Sequence, residues 1–267
     1  MIRRLALLVR ACHPEPTAAV TVLTGALFLA AGNPIGRSLV GTAAILCGQL
    51  SIGWSNDLLD RRRDRAAGRP DKPMATGALS ARLVATVTTL AVTATVILSL
   101  RLGWPAGLLH LSAVGAGWAY NVRLKATAWS ALPYLYAFAA LPAIATLARH
   151  RHFPPGWILV AAGLIGVAAH FANVLPDLQD DFDTGVHGLP HRLGRRSATW
   201  SAAGLTAAVA GLILLARPEP ATAGAAVLTL GLAVAAGRAR PETAFPLVML
   251  AAAVDVVALL ASGGLPS

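Results

Sequence analysis

The feature that most restricts the fold is a series of nine apolar windows along the 267 residues. Most of them approach the length of about 20 residues that a helix needs to cross a bilayer. Hydrophobic residues form 56% of the sequence and charged residues 13%, which is too apolar for a soluble domain of this length. The sequence therefore predicts an all-α integral membrane protein with nine transmembrane helices, in one polytopic domain over residues 1–267. The windows lie at about residues 17–32, 38–55, 80–100, 103–122, 129–148, 155–175, 197–216, 220–237 and 243–262.

The 22 lysine and arginine residues are divided unevenly between the two ends of these helices. Seventeen lie at the N-terminus or in the connections on its side, and five lie on the other side. This excess predicts a multi-pass cell-membrane protein whose N-terminus faces the cytoplasm. The net charge of +10 would suggest a nucleic-acid partner in a soluble protein. Membrane topology accounts for it here, so no nucleic-acid partner is expected.

A first acidic segment, residues 56–64, follows the second apolar window. Its members Asp57, Asp60 and Asp64 are spaced i, i+3 and i+7, so on a helix they share one face. Three carboxylates on one face repel each other, which indicates that cations lie among them. Carboxylate oxygens suit a hard ion such as Mg²⁺, which often keeps positions open for phosphate oxygens.

A second acidic segment, residues 177–183, follows another apolar window. Asp177 and Asp181 are one helical turn apart, and Asn173 precedes Asp177 by one turn. The two segments begin the two longest polar connections, at about residues 56–79 and 176–196, and the predicted topology puts both in the cytoplasm.

Two acidic segments at one membrane face predict a shared site for a diphosphate. Mg²⁺ ions would bridge carboxylates to phosphate oxygens, and nearby lysines and arginines would complete the site. Such a site would weaken the carbon–oxygen bond of an allylic diphosphate by stabilising the pyrophosphate that leaves. An apolar chamber in the bilayer would hold the organic tail and protect a carbocation from water.

These segments resemble the motifs of the UbiA-type intramembrane prenyltransferase superfamily. The run from Asn56 to Asp64 is similar to the pattern NDxxDxxxD, and the run from Asp177 to Asp181 is similar to DxxxD. The run from Tyr120 to Lys125 resembles the family's tyrosine-to-lysine segment, with one additional residue. The resemblance implies nine helices around a central cavity.

The resemblance also implies roles for individual residues. Five aspartates would be catalytic and would hold Mg²⁺: Asp57, Asp60, Asp64, Asp177 and Asp181. Five residues would contact the diphosphate: Asn56, Arg61, Lys72, Arg123 and Lys125. Two would face the cavity: Tyr120 and Asn173.

The activity that the resemblance implies is transfer of an isoprenyl group from an isoprenyl diphosphate to a small aromatic or lipid-like acceptor. Pyrophosphate would be released, and the enzyme would be a transferase of alkyl groups other than methyl. A terpene cyclase on the same scaffold would use the same ionisation, so the motifs do not separate the two. A membrane transporter is a third alternative, which the paired, metal-like spacing of the acids at helix ends disfavours.

Other polar residues in the apolar windows have simpler interpretations. His110 and His170 are expected to be hydrogen-bonded core histidines, and Asp255 is expected to serve helix packing. The aromatic residues between Trp118 and Tyr136 fit either an interfacial belt or a wall along the prenyl chain.

Overall fold

The computed structural model describes residues 2–70, 72–150, 152–183 and 185–263. These residues form twelve α-helices and one short 3₁₀ turn, and no strand occurs among them. The helices are α1 Ile2–Ala11, α2 Pro14–Ala30, α3 Ile35–Ala66, α4 Ala81–Leu100, α5 Trp104–Val122, α6 Leu132–His150, α7 Gly156–Val174, α8 Leu178–Asp183, α9 Leu189–Leu193, α10 Arg195–Ala216, α11 Pro220–Arg238 and α12 Pro241–Ala261.

The all-helical membrane fold is confirmed, whereas the number of nine spans is not. Within the described ranges, seven helices are long and apolar enough to cross a membrane: α3, α4, α6, α7, α10, α11 and α12. The other two predicted spans correspond to α2 and α5. Helix α2 has only 17 residues, and α5 carries the buried polar residues His110 and Asn121.

The long helices pack against their neighbours in chain order, and α12 returns to contact α2 and α7. Helices α6 and α7 form the most buried part of the bundle, with over half of their apolar windows inside the structure. An apolar cavity of about 20 Å³ lies between α2, α6, α7 and α12. Its lining includes Leu27, Phe138 and Leu141.

Helix α3 is longer than a bilayer crossing requires. Its 32 residues extend about 48 Å, whereas the hydrocarbon core is about 30 Å thick. The helix continues through the whole first acidic segment and ends at Ala66. This corrects the expectation of a polar connection that begins at Asn56, because the segment forms the last turns of a helix. Asp57, Asp60 and Asp64 consequently share one buried face.

The short helix α1 packs along the same end of α3. The Trp54 indole nitrogen donates a hydrogen bond to the Leu8 carbonyl oxygen at 2.9 Å. Leu7 and Leu8 face a small cluster around Met74, while Leu5 and Val9 are exposed. Helix α1 therefore packs one apolar face against this cluster and leaves other apolar side chains exposed, which is typical of a helix at a membrane interface.

Close contact between α6 and α7 depends on a glycine. A Cβ atom on Gly166 would lie 2.5 Å from the Tyr134 carbonyl oxygen and 2.6 Å from the Phe138 Cβ. Small residues of this kind let membrane helices approach closely, which increases their packing contacts.

We expect Gly166→Ala to destabilise the protein by about 2 kcal/mol, because the added methyl group forces α6 and α7 apart. Thermal unfolding of the purified protein in detergent measures this change. Gly211→Ala on α10 is the matched control, since nothing lies within 4 Å of its Cβ position. Its melting temperature should be unchanged or higher, because alanine favours a helix over glycine. Equal melting temperatures for the two variants would contradict the close-packing argument.

Candidate active site

Three connections meet at one end of the helical bundle. The C-terminal turns of α3 bring the first acidic segment, and the turn between α5 and α6 brings Lys125. The connection after α7 brings the second acidic segment, with Asp181 on the short helix α8. Side chains from all three make contact there, so the two acidic segments share one site.

The Asp60 carboxylate is contacted by two basic side chains, Lys125 and Arg63. The Lys125 ammonium lies 2.6 Å from one Asp60 carboxylate oxygen and 2.5 Å from the other. Lys125 also donates to Asn56 Oδ1 at 3.2 Å, and Arg63 Nη2 donates to Asp60 Oδ2 at 3.1 Å. Asp60 is only 8% exposed, so these cations compensate for much of the hydration that its charge has lost.

Asp57 is buried on the same face and has a different set of neighbours. Its Oδ1 atom accepts a hydrogen bond from Lys72 Nζ at 2.9 Å and lies 3.4 Å from His13 Nε2. Its Oδ2 atom is buried and has no hydrogen-bond partner among the residues that the structure describes. A buried carboxylate oxygen without a partner is costly, so this atom marks the point where a further cation would be favoured.

Two arginines connect the acidic segments. Arg63 Nη2 lies 3.7 Å from Asp64 Oδ1 and 3.9 Å from Asp181 Oδ1. Arg69, in the connection after α3, lies 3.4 Å from Asp177 Oδ1. The two acidic segments are therefore held together by cations placed between them.

The positions of Lys125 and Asp181 shift their protonation equilibria. Removal from water lowers the pKa of the Lys125 ammonium, although the adjacent Asp60 charge acts in the opposite direction. Burial by itself would raise the pKa of Asp181, but His191 and Arg63 outweigh it, and the pKa lies below that of a free carboxyl. Asp181 is therefore a carboxylate at neutral pH.

A partly buried aromatic group lies on the helices that flank this site. The rings of Tyr120 and Tyr134 meet edge to face at 5.2 Å, and His170 is 4.8 Å from Tyr134. His170 Nε2 lies 3.0 Å from Ser130 Oγ, which confirms that it is a hydrogen-bonded core histidine. Trp129 is largely exposed, so the aromatic residues divide into an inward group and an outward group.

The turn that carries Lys125 is fixed against the second polar connection. A Cβ atom on Gly188 would lie 2.5 Å from the Lys125 carbonyl oxygen, so only glycine permits this approach. The Leu189 backbone nitrogen donates to Ser130 Oγ at 2.8 Å, just before α6. These contacts fix the position from which Lys125 reaches Asp60.

Most of the predicted site residues come together at this end of the bundle. They are Asn56, Asp57, Asp60, Asp64, Lys72, Lys125, Asp177 and Asp181. Tyr120 is in the inward aromatic group, and Asn173 is exposed one turn before Asp177.

Two predicted diphosphate contacts, Arg61 and Arg123, lie at the same end but have other surroundings. The Arg61 guanidinium donates to the Leu58 carbonyl oxygen at 3.0 Å, and Arg123 is exposed beyond the end of α5. Within the described ranges, neither side chain contacts an acidic residue of the site. Arg61 follows Asp60 by one residue and is rotated about 100° from it on the helix, whereas Arg63 follows by three and shares its face.

Four site residues were missed by the sequence interpretation: His13, Arg63, Arg69 and His191. The spacing of Arg63 from Asp60 and Asp64 was the available signal, because residues three apart on a helix are neighbours. Nothing in the local sequence of His13 indicates a contact with a residue 44 positions later. His191 Nε2 lies 3.7 Å from Asp181 Oδ2, a contact made through the short helix α9.

The donor chemistry of the site fits Mg²⁺ bound together with phosphate. In the part of the chain that the structure describes, no three histidine, cysteine or acidic side chains form a closed metal cage. Mg²⁺ does not need one, since it is often held by one or two carboxylates, substrate phosphates and water. The Oδ2 atom of Asp57 is a hard oxygen ligand that could take part in such a site.

Comparison with known proteins decides the family. The family model of the UbiA prenyltransferase family matches residues 18–261, which is most of the chain. The chain belongs to this family. The predicted resemblance is therefore confirmed, and this UbiA-family chain contains both acidic segments within the matched range. No curated protein matches the sequence.

Solved structures of UbiA-type proteins have the same fold at low sequence identity. A digeranylgeranylglyceryl phosphate synthase is 15% identical, with a TM-score of 0.73 over 98% of this chain and 99% of its own. A UbiA homologue from Archaeoglobus fulgidus bound to GPP and Mg²⁺ is 17% identical, with a TM-score of 0.70 over 96% and 99%. The apo UbiA homologue from Aeropyrum pernix K1 is 18% identical, with a TM-score of 0.71 over 92% and 98%.

We expect Lys125→Met to destabilise this UbiA-family protein by about 3 kcal/mol, because it leaves the buried Asp60 charge with Arg63 alone. Equilibrium unfolding in detergent measures the change. Arg123→Met removes a similar charge two residues away from an exposed position, and it should stay within about 0.5 kcal/mol of wild type. Adding Asp60→Asn to Lys125→Met should restore part of the loss. A destabilisation that Asp60→Asn does not reduce would contradict the ion-pair explanation.

Proposed function

We propose that this protein is an Mg²⁺-dependent intramembrane prenyltransferase. It transfers an isoprenyl group from an isoprenyl diphosphate to a small aromatic or lipid-like acceptor and releases pyrophosphate. The observation that carries the proposal is the meeting of two acidic segments, with lysines and arginines between them, at one end of an apolar bundle. A diphosphate group with a hydrocarbon tail has the same division between charge and apolar surface.

The diphosphate would be bound by the cations that already lie among the carboxylates. Lys72 and Lys125 extend from two different connections towards the acidic face of α3. Arg63 adds a planar guanidinium, which can contact two phosphate oxygens at once. These groups orient the diphosphate and stabilise the negative charge that develops on it as the carbon–oxygen bond breaks.

Five aspartates would hold the metal: Asp57, Asp60, Asp64, Asp177 and Asp181. When bound, Mg²⁺ would supply positive charge that makes the diphosphate a better leaving group. The unpartnered Asp57 Oδ2 supports this assignment. The A. fulgidus homologue with GPP and Mg²⁺ supports the same pairing of metal and isoprenyl diphosphate.

The isoprenyl tail would run from the acidic end towards the interior along α6. Tyr134 belongs to the inward aromatic group, and Phe138 follows it one turn later with its ring 6.4 Å away. Phe138 also lines the apolar cavity between α2, α6, α7 and α12. Aromatic faces next to the ionising carbon favour positive charge, and the apolar walls exclude water that would capture a carbocation.

The positive-inside distribution supports a cytoplasmic position for this end of the bundle. Helix α1, the turn carrying Lys125 and both polar connections with acidic segments all lie at this end. A water-soluble acceptor or diphosphate would then enter from the cytoplasm, and a lipid-like acceptor would enter from the bilayer.

We expect Asp60→Asn and Asp181→Asn each to reduce pyrophosphate release by at least about a hundredfold, because each removes a carboxylate that would hold Mg²⁺ at the leaving group. The assay uses purified protein with radiolabelled isoprenyl diphosphates of several lengths, Mg²⁺ and a cell extract as the acceptor source. Asp255→Asn is the control, since this buried acid lies far along α12 and pairs with Thr229. Pyrophosphate release that persists in both variants would contradict the site assignment.

The labelled product of the same assay distinguishes the remaining activities. A labelled adduct that requires the extract identifies a transferase, whereas a hydrocarbon or alcohol formed without the extract identifies a terpene cyclase. The absence of turnover with every chain length, from a folded protein, would contradict the enzyme proposal and favour a transporter.

We expect Phe138→Ala to shift the preferred donor towards longer isoprenyl chains. The phenyl ring is about the size of one isoprenyl unit, and its removal joins the aromatic group to the 20 Å³ cavity. Competition between donors of different length measures the ratio of their kcat/KM values. Phe153→Ala, an exposed position before α7, should leave the ratio unchanged. An unchanged ratio in Phe138→Ala would show that the tail follows another path.

A further inference from the structure

His13 lies at the junction between α1 and α2 in an unusual backbone conformation. Its φ angle is 55° and its ψ angle 71°, and it has the only positive φ of a non-glycine residue in the ranges described above. The left-handed conformation is unfavourable for a residue with a Cβ atom, so the surrounding contacts must hold it. Its side chain extends towards Lys72 and Asp57.

The junction is fixed against α3 by backbone contacts. The Cys12 carbonyl accepts a hydrogen bond from Thr17 Oγ1 at 2.9 Å. The same carbonyl packs against Gly53, where a Cβ atom would collide with it. Gly53 and Asp57 are four residues apart on one face of α3. Because Cys12 packs against Gly53, the residue that follows Cys12, His13, is brought next to Asp57.

One ring nitrogen of His13 faces both the Lys72 ammonium and the Asp57 carboxylate. The Lys72 ammonium can only donate hydrogen bonds, and its Nζ lies 3.1 Å from His13 Nε2. A ring nitrogen that carries no proton can accept a hydrogen bond from this ammonium. Lys72 donates a second hydrogen bond to Asp57 Oδ1 at 2.9 Å. The ammonium is thus held between an imidazole and a carboxylate.

We propose that His13 is a positioning residue that fixes the Lys72 ammonium for binding the diphosphate. Lysine has a flexible four-carbon side chain, and a second acceptor restricts where its charge can lie. His13 keeps this charge at Asp57 Oδ1, so that Asp57 Oδ2 remains the oxygen open to a metal. This inference rests on the proposed function, since it assigns Lys72 to the diphosphate.

The test measures binding of magnesium pyrophosphate to the full chain in detergent by titration calorimetry. We expect His13→Ala to weaken binding about tenfold, the effect of losing one hydrogen bond to a charged group. His13→Gln should stay within about threefold of wild type, because its amide oxygen can accept from Lys72. His152→Ala, an exposed histidine before α7, is the matched control and should bind as wild type does.

A double-variant cycle decides whether His13 acts through Lys72. In the Lys72→Ala background, His13→Ala should cause no further loss, because the group that it positions is gone. Additive losses in the double variant would overturn the inference. It would also be overturned if His13→Ala lowered both the affinity and the melting temperature and His13→Gln did not restore the affinity. Wild-type protein that fails to bind magnesium pyrophosphate would overturn the proposed function instead, which separates the two failures.

Discussion

The site depends on the buried ion pair between Asp60 and Lys125. Both side chains are largely removed from water, and a charge in that position is stable only beside a compensating charge. The pair joins the end of α3 to the turn between α5 and α6, across 65 residues of sequence. Gly188 then fixes that turn to the connection carrying the second acidic segment. Because one carboxylate must be neutralised, three separate connections are brought to a single place.

The position of this ion pair is set by the length of α3. A helix that stopped at the edge of the hydrocarbon would end near Asp57, about 33 Å from Ile35. Helix α3 continues to Ala66, so its carboxylates lie on a rigid helical face that reaches beyond the apolar core. The helical spacing of residues around this face determines which basic side chains can reach its carboxylates. Arg63 contacts Asp60, while Arg61 turns back to the backbone of its own helix.

Sequence patterns were sufficient to predict the membrane fold and the helical face of the first acidic segment. These features depend on local spacing and on charge, which a sequence displays directly. The contact of His13 with Asp57 depends instead on the approach of the α1–α2 junction to Gly53, a packing detail that no local pattern encodes. The number of transmembrane spans could not be derived from the sequence either, because α2 is short for a span and α5 carries buried polar residues.

The two acidic segments differ in the exposure of their side chains, and this difference suits a site that must admit a large ligand. In the first segment, the ion pair between Asp60 and Lys125 is buried, with the ammonium 2.5 Å from a carboxylate oxygen. In the second segment, the Asp177 side chain is 50% exposed and lies 3.4 Å from Arg69. An exposed ion pair contributes little to stability, so this contact can be exchanged for a ligand at low cost. The buried segment fixes the geometry of the charge, and the exposed Asp177 carboxylate can be reached by a ligand that arrives with further cations.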